Sequence, residues 1–255
     1  MSSMPEKLLD HTKGVLSPLG DSAIVITFGN EMNVDIHKKI KIFMNMLEEE
    51  PFIGFIECVP AFTNLTVYYD SLMIYNKQKK KSKDELVSPY EVVRTIIEEK
   101  LKHVIKNEDL AQRTVTIPVC YGGEFGPDLE HVARFNHLTT DEVIHIHSNG
   151  EYLAYMIGFA PGFPFLGGLS EKIATPRRPS PRMSIPKGAV GIAGMQTGVY
   201  PISTPGGWQL IGQTPSKLFL PNESPPTLLQ AGDKVKFIPI TSIEYKEMAL
   251  KEELK

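Results

Sequence analysis

The sequence has few of the features that mark metal-binding, redox or membrane proteins. Among its 255 residues are only two cysteines, Cys58 and Cys120, which lie far apart and without the spacing of a zinc site. We interpret both as reduced core residues. No apolar run approaches the ~20 residues that cross a bilayer, and the stretch from Met1 to Leu16 lacks the apolar region of a signal peptide. These absences predict a soluble cytoplasmic protein that has no metal site and makes no membrane contact.

The chain also lacks a strong charge of either sign, since its net charge is −3. This balance argues against a nucleic-acid-binding role for the whole chain. One basic run, Lys77–Lys83, has no aromatic side chains between its cations and leads into the acidic pair Asp84 and Glu85. We predict that this run is a solvated loop. The sequence contains neither a serine nucleophile elbow nor a local cysteine–histidine signature.

The pattern of apolar residues divides the chain into two parts. In the first part, short apolar runs predict strands at Ala23–Phe28, Phe52–Val59 and Leu65–Tyr69. Apolar residues at helical spacing predict a helix over Asp35–Leu47, and Ser88 suits the N-cap of a second helix. Residues 1–110 are therefore predicted to form a small α/β sandwich domain of an α+β protein, with a polar linker at 106–112.

The second part, residues 111–242, begins with a strand and two helices, for which Asp128 and Thr140 are the expected N-caps. Short strand-like pieces bounded by Gly or Pro then recur, which predicts a closed or nearly closed β-barrel. The predicted strands are Thr114–Val119, Tyr152–Ile157, Val190–Ala193, Gly198–Ile202, Trp208–Gly212 and Lys234–Ile240. Residues 243–255 are predicted to be a charged tail, which forms a short helix at most.

The segment from Gly158 to Pro215 is the candidate functional surface. It holds nine of the twenty prolines and eleven of the twenty glycines, which suits tight turns and close approach to a ligand or a partner. It also carries five cations against the single acid Glu171, so its net charge is +4. The cations are Lys172, Arg177, Arg178, Arg182 and Lys187. They suit an anionic ligand such as a carboxylate or a phosphate, or they pair with carboxylates elsewhere.

Three motifs in this segment each have two interpretations. Phe159–Gly168 is an apolar loop that either packs into a core or serves as a pocket or partner surface. Gly191–Gly198 is either a phosphate cradle or a tight turn between strands, because the Gly-Lys-Ser/Thr of a Walker motif is missing. Trp208, beside Gly206 and Gly207, is either a packing anchor or a stacking platform. The candidate contact residues of the apolar loop are Phe159, Pro161, Gly162, Phe163 and Phe165.

Two histidines, His145 and His147, lie on the second predicted helix of this part. Residues two apart do not share a helix face, so they do not form the metal-binding pair that a spacing of four would give. One of them could act as an acid or base near neutral pH. The alternative is a histidine of the surface or of the core.

Taken together, these motifs resemble the allophanate hydrolase subunit 1 family. Its members include components of bacterial 5-oxoprolinases and an inhibitor of a sporulation histidine kinase. The resemblance spans residues 19–237 and implies an N-terminal α+β domain followed by a cyclophilin-like β-barrel. The motifs that carry it are Pro118–Leu129, His147-Ser148, Gly158–Gly168, Thr175–Arg178, Pro186, Val190–Gly198 and Pro205–Gly212.

The resemblance implies one component of an ATP-dependent enzyme that opens 5-oxo-L-proline to L-glutamate. Its implied partners are a homologue of the 5-oxoprolinase C component, in a stable heteromer, and the A component, which is a hydrolase. ATP with Mg²⁺ would activate the amide oxygen, and cations would hold the phosphate and the carboxylate. The implied catalytic residues are His147 and Arg178. The implied residues for substrate or phosphate binding are Arg177, Arg182, Lys187 and Gln196.

Two other activities remain open at this point. The resemblance also fits a component of an allophanate hydrolase or urea carboxylase that acts on an amide substrate. It also fits a protein inhibitor of a histidine kinase, in which case the N-terminal domain and the apolar loop Phe159–Leu166 would be docking surfaces rather than catalytic parts.

Overall fold

The computed structural model describes residues 14–31, 33–81, 87–102 and 113–254. Contacts divide the chain into two compact units, residues 1–111 and 112–255. The predicted linker at 106–112 and the predicted domain boundary at residue 110 lie outside the described residues. Among the described helices, none combines the length and the hydropathy of a membrane span.

The first unit is an antiparallel sheet with three helices. Its strands are β1 Val15–Pro18, β2 Ala23–Thr27, β3 Phe55–Pro60 and β4 Asn64–Tyr69, and its helices are α1 Val34–Glu49, α2 Ser71–Lys81 and α3 Pro89–Lys102. The strand order is β1-β2-β4-β3. The central strands β2 and β4 pair from Ala23 opposite Tyr68 to Thr27 opposite Asn64. The three strands predicted for this part are confirmed within a few residues, and β1 was missed.

The core of the first unit forms where the apolar stripe of α1 meets the sheet. The apolar residues at helical spacing in α1 are all buried, and they pack against residues of β2 and β4 such as Ile24 and Val67. They are Ile36, Ile40, Phe43 and Leu47. The hydroxyl of Ser88 accepts a hydrogen bond from the backbone N–H of Glu91 at 3.2 Å, which confirms the predicted N-cap of α3.

The basic run differs from its prediction. Residues 77–81 belong to α2 rather than to a loop. Lysine and glutamine are good helix formers, and a helix can keep such residues in solvent on its outer face. Residues 82 and 83 lie outside the described part of the chain.

The second unit is built around a closed barrel of seven strands. These strands are β5 Thr114–Tyr121, β6 Tyr152–Ile157, β7 Pro164–Gly167, β9 Ala189–Ala193, β10 Gln196–Val199, β12 Gln209–Gln213 and β13 Lys234–Pro239. The order around the barrel is β10-β7-β6-β13-β5-β12-β9. The predicted α+β fold with a barrel is confirmed. Two further strands, β8 Arg182–Ile185 and β11 Thr204–Gly206, form a separate antiparallel pair.

The barrel is closed by its first and last strands. β5 and β13 pair in parallel, from Thr114 opposite Lys234 to Val119 opposite Pro239. Inward-facing apolar residues of these and the other barrel strands form the main core of the unit, which includes Ile117, Val190 and Phe237.

The described α-helices of the second unit are α4 Leu129–Phe135, α5 Thr140–Ser148 and α6 Ser242–Glu253. The N-cap of α5 is Thr139, so the predicted cap at Thr140 is wrong by one residue. Thr139 Oγ1 accepts from the backbone N–H of Glu142 at 3.2 Å, and the Glu142 carboxylate accepts from the backbone N–H of Thr139 at 2.8 Å. Residues predicted as a charged tail form α6, whose Tyr245 ring lies 4.6 Å from that of Phe125.

Candidate functional site

The loop that carries the three predicted arginines, residues 176–182, is held at both ends. Near its start, Gln209 Nε2 donates a hydrogen bond to the carbonyl of Pro176 at 2.9 Å. The backbone N–H of Arg178 donates to the carbonyl of Gly207 at 2.7 Å. At its end, Arg182 begins β8, which pairs with β11. The backbone that positions these arginines is therefore fixed by main-chain and side-chain bonds.

The carboxylate of Asp128 joins two of the predicted arginines. Arg178 Nη1 donates to Asp128 Oδ1 at 3.0 Å, and Arg182 Nη2 donates to the same oxygen at 2.8 Å. The second oxygen, Oδ2, accepts from the backbone N–H of Leu210 at 2.7 Å. The Asp128 side chain is 6% exposed, whereas those of Arg178 and Arg182 are 35% and 23% exposed. One buried anion thus holds two partly exposed cations, and the cluster keeps one uncompensated positive charge.

This arrangement corrects the prediction for Asp128. The residue occupies the N-cap position of α4, but its side chain makes no capping hydrogen bond. Both of its oxygens are used by the arginines and by Leu210. The sequence alone gave no signal for this, because Asp128 lies fifty residues before Arg178. Arg178 and Arg182 therefore pair with a carboxylate that is distant in the sequence. This was one of the two interpretations left open for the cations.

The cluster contains polar atoms that no described residue satisfies. Arg178 Nε and Arg182 Nη1 are buried donors without a partner, and the neighbouring Gln209 Oε1 is a buried acceptor without one. Leaving a buried donor or acceptor unbonded costs about 1–3 kcal/mol. In an ion pair with a purely structural role, the buried polar atoms are normally all hydrogen-bonded. The unbonded atoms therefore distinguish this cluster from such an ion pair.

The remaining predicted anion-binding residues lie near the cluster in sequence but do not bond to Asp128 among the described contacts. Arg177 is exposed. Burial raises the pKa of Tyr200 to about 12, and the positive charge of Arg177 offsets part of this rise. Lys187 is exposed between β8 and β9, where its carbonyl accepts from Gln213 Nε2 at 2.7 Å. Gln196 is half-buried at the start of β10.

His147 lies on α5 and is fully buried, with its ring stacked on Phe237 at a centroid distance of 4.6 Å. Its Nδ1 lies 2.7 Å from the hydroxyl of Tyr121, and its Nε2 lies 2.9 Å from Thr197 Oγ1. Burial lowers the pKa of His147 to about 3. Among the described contacts of this imidazole none involves the arginines, and its two nitrogens already have protein partners. A catalytic role for His147 stays a prediction, and the geometry favours a structural role.

The apolar loop Phe159–Gly168 divides into a core part and an exposed part. Phe163 is 2% exposed and makes an edge contact with Trp208 at a centroid distance of 5.6 Å. Phe165 is partly buried against the same cluster. Residues Pro164–Gly167 form β7 of the barrel, so for this part of the loop the structure shows the core interpretation. Proline is tolerated because it is the first residue of the strand.

The tip of the same loop remains available to a partner. Phe159 is 70% exposed and has a φ of +69°, a left-handed conformation that is strained for a phenylalanine. Pro161 is exposed beside it. Gly162 has a φ of +80°, and a Cβ at this position would lie 2.9 Å from the carbonyl oxygen of Leu218. Glycine at 162 therefore satisfies both a backbone and a packing requirement.

Trp208 is a packing anchor. It is 5% exposed and belongs to a small cluster with Phe163 and Tyr200. A Cβ at Gly206 would lie 2.6 Å from Ile185 Cδ1, so this glycine allows close packing. At Gly207 a Cβ would meet its nearest atoms only at 3.7 Å, which is ordinary contact.

The glycine-rich motif Gly191–Gly198 is a tight turn between strands. Ala193 of β9 pairs with Gln196 of β10, and Gly194 in the turn has a φ of +59°. The flanking strands are largely buried, so the motif does not form a phosphate cradle. Within the part of the chain that the structure describes, there is also no group of three His, Cys, Asp or Glu residues that could hold a metal ion. The hairpin at Gly194 does not fit the phosphates of ATP with Mg²⁺, because it lacks a cradle of free backbone N–H groups ahead of a helix.

Two open pockets of the second unit lie away from the predicted residues. One, of about 570 Å³, is lined by residues of the loop 216–228 together with Thr116 and Glu252. The other, of about 390 Å³, lies beside Cys120 and the start of α6. None of the predicted site residues lines either pocket.

Comparison with known families decides where the chain belongs. Residues 15–229 match the family described as carboxyltransferase domain, subdomain C and D. The chain belongs to this family. The match covers both units, so the carboxyltransferase family accounts for the first unit as well as for the barrel.

Individual relatives agree with the family. Over 238 residues the chain is 57% identical to the B component of the 5-oxoprolinase of Bacillus subtilis, and the alignment covers 93% of this chain and 97% of that relative. The crystal structure of TTHA0988 matches 86% of this chain with a TM-score of 0.71 and 30% identity, and the chain spans 40% of the length of that protein. The urea amidolyase of K. lactis shares the fold alone, with a TM-score of 0.68 and 19% identity over 97% of this chain and 16% of that chain. The predicted family is confirmed.

Proposed function

We propose that this chain is the B-type component of a 5-oxoprolinase, which works with an A-type and a C-type component to couple ATP hydrolysis to the opening of 5-oxo-L-proline. The observation that carries the proposal is the 57% identity to a 5-oxoprolinase B component over 97% of that relative's length. A match of this extent leaves no large part of either chain without a counterpart.

The chemistry of ring opening explains why such a complex needs ATP. A five-membered lactam is a stable amide, and transfer of a phosphoryl group from ATP to its oxygen makes the ring carbon more electrophilic and releases ADP. Water adds to this carbon, and the C–N bond breaks with the ring nitrogen taking up a proton and leaving as the amine. A second water then hydrolyses the resulting acyl phosphate to L-glutamate and inorganic phosphate. The substrate carries a carboxylate and the activated intermediate adds a phosphate, so preorganised cations stabilise both. In this chain the Asp128-held pair of Arg178 and Arg182 supplies cations for the carboxylate.

In this proposal ATP is used by the complex of three components and not by this chain alone. This assignment is supported by the Gly191–Gly198 motif, which is a hairpin turn between β9 and β10 rather than a phosphate cradle. We expect the chain alone to hydrolyse no ATP and to open no lactam.

The test is reconstitution with each component left out in turn. ATP hydrolysis and glutamate release from 5-oxo-L-proline are measured for the full set of three components and for each set of two. The proposal expects both products in a fixed ratio from the full set and loss of glutamate release when this chain is omitted. Glutamate release that persists without this chain would refute it.

A second candidate is a urea-type amide. The urea amidolyase of Saccharomyces cerevisiae is 24% identical over 92% of this chain, which represents 14% of that protein. If the full set is inactive on 5-oxo-L-proline, urea and allophanate are the next substrates to offer. The histidine-kinase partner and the cytoplasmic location stay predictions.

A further inference from the structure

We infer that Arg178 and Arg182 form a binding site for the carboxylate of the substrate, and that Asp128 is the residue that positions them. The identity of the ligand rests on the proposed function. The existence of an oxoanion site rests on the contacts, burial and charge of these three residues.

The two guanidinium groups are fixed before any ligand arrives. Both bond to one oxygen of Asp128, at 3.0 Å and 2.8 Å, and this carboxylate is itself held by the backbone N–H of Leu210 at 2.7 Å. Their backbones are also fixed, since the N–H of Arg178 bonds to Gly207 and Arg182 begins β8. A site whose donors are already ordered loses little conformational entropy when it binds a ligand.

The charge of the cluster matches a single negative charge. Two guanidinium cations and one carboxylate leave a net charge of +1, and among the described contacts no third cation reaches Asp128. A carboxylate neutralises this charge, whereas a phosphate dianion leaves an excess of negative charge in a site that is more than half buried. The balance therefore favours a carboxylate over a phosphate group.

The two guanidinium groups also have N–H donors that make no hydrogen bond to any residue that the structure describes. No hydrogen bond among the described residues uses Arg178 Nη2 or Arg182 Nε, and both side chains keep part of their surface in solvent. Arg178 Nε and Arg182 Nη1 are buried without a partner. Guanidinium groups present several donors in one plane, which suits the two oxygens of a carboxylate.

The competing interpretation is that Asp128 merely fastens the loop 176–182 to the start of β12. Both interpretations predict that loss of Asp128 destabilises the fold. They differ for the arginines, because loss of one arginine leaves Asp128 bonded to the other arginine and to Leu210. Single arginine variants therefore test ligand binding with the anchor still in place.

The experiment compares Arg178→Gln, Arg182→Gln and the control Lys172→Gln in the reconstituted complex of all three components. Lys172 is exposed in the same segment, and its loss removes the same charge. KM and kcat are measured for 5-oxo-L-proline and KM for ATP. In parallel, binding of 5-oxo-L-proline, of its neutral primary amide and of inorganic phosphate to the purified chain is followed by calorimetry.

The inference expects KM for 5-oxo-L-proline to rise by about 10- to 100-fold in each arginine variant, which corresponds to loss of a charge-assisted hydrogen bond. KM for ATP, and every parameter of Lys172→Gln, should stay within about twofold of the wild type. The wild-type chain should prefer the acid to its amide, and Arg178→Gln should lose that preference. If Arg178→Gln does not fold, Arg182→Lys, which retains the charge near Asp128, is expected to show the same loss of preference.

Three results would overturn the inference: an unchanged KM for 5-oxo-L-proline in folded arginine variants, a change confined to KM for ATP, or tighter binding of phosphate than of the carboxylate. Failure of the proposed function looks different. In that case the wild-type complex releases no glutamate, while calorimetry with the acid and amide pair still reports whether the arginines bind a carboxylate.

Discussion

His147 of α5 donates a buried hydrogen bond to Thr197 of β10, with Nε2 and Oγ1 2.9 Å apart. The direction follows from Thr197 itself, because its hydroxyl donates to the carbonyl of Gly191 at 3.0 Å and has no second proton to give. His147 Nδ1 is then the acceptor for the hydroxyl of Tyr121 at 2.7 Å. A neutral imidazole satisfies both contacts, which makes His147 a connector between β5 and β10.

Replacing His147 by leucine should destabilise the second unit. The change removes both hydrogen bonds and leaves the buried hydroxyl of Tyr121 without its partner, so the free energy of unfolding should fall by about 2–4 kcal/mol. Urea denaturation measures this value, with His145→Leu as the control because His145 is exposed on the same helix. A His147→Leu chain that is as stable as the wild type, but whose complex has lost turnover, would contradict the structural role and support the catalytic one.

The same histidine should make stability depend on pH. Burial lowers the pKa of His147 to about 3 in the folded chain, whereas an unfolded histidine titrates near pH 6.5. Below pH 6.5 the unfolded chain therefore binds a proton that the folded chain does not, and stability falls as the pH drops from 6.5 towards 3. The loss should approach about 1.4 kcal/mol per pH unit from this residue.

Urea midpoints at pH 7, 6 and 5 measure this dependence. His37 of the first unit, whose pKa is lowered by burial and by the charge of Lys41 to about 4, adds a similar contribution to that unit. The His147→Leu chain should retain the His37 contribution and lose the other. An identical pH profile in the variant and the wild type would show that His147 does not carry the effect.

Alanine variants at Gly162 and Gly194 distinguish the cost of a left-handed backbone from the cost of a steric clash. Both have positive φ values, +80° and +59°, but a Cβ at Gly162 would meet the carbonyl of Leu218 at 2.9 Å, whereas nothing lies within 4 Å at Gly194. Alanine at 194 should cost about 1 kcal/mol from the left-handed backbone alone. Alanine at 162 should cost about 1–3 kcal/mol more, because packing must also shift. Thermal melts of the two variants test the order, and equal losses would contradict it.

The N-cap of α5 offers a test at two adjacent threonines. Thr139 forms the capping box with Glu142, and hydrogen bonds from Thr139 also lower the pKa of the Glu142 carboxyl. Thr139→Ala should reduce the free energy of unfolding by about 1 kcal/mol, whereas Thr140→Ala should change it by less than about 0.5 kcal/mol. Chemical denaturation distinguishes the two. A larger decrease in the free energy of unfolding for Thr140→Ala than for Thr139→Ala would instead support Thr140 as the N-cap, as the sequence pattern predicted.

Local patterns were enough to predict most of the fold. The apolar stripe of α1 and the cap at Ser88 depend on residues within a few positions of each other, and both are confirmed. The strands that were missed, such as β7 at Pro164–Gly167 and β8 at Arg182–Ile185, are four residues long. β7 begins with Pro and ends with Gly, and β8 lies between Pro181 and Pro186, so these residues concealed both strands. They form because neighbouring barrel strands and the β8–β11 pairing supply their hydrogen bonds.

The candidate site could be located from the sequence only in part. Charge density singled out Arg178 and Arg182, which do share one cluster. The residue that joins them, Asp128, was interpreted as a helix cap, because a local pattern cannot show a contact across fifty positions. Burial of His147 was equally out of reach, since it depends on how α5 packs against the barrel strands.

The parallel pairing of β5 with β13 has a consequence for synthesis. Both neighbours of β5 in the barrel, β12 and β13, come from much later in the sequence, so they leave the ribosome long after β5 does. Until Lys234–Pro239 emerges, β5 has free edges and the barrel interior stays open to water. The second unit therefore completes its folding only after most of its residues have emerged, and during that interval the free strand edges of the nascent chain can pair with other chains.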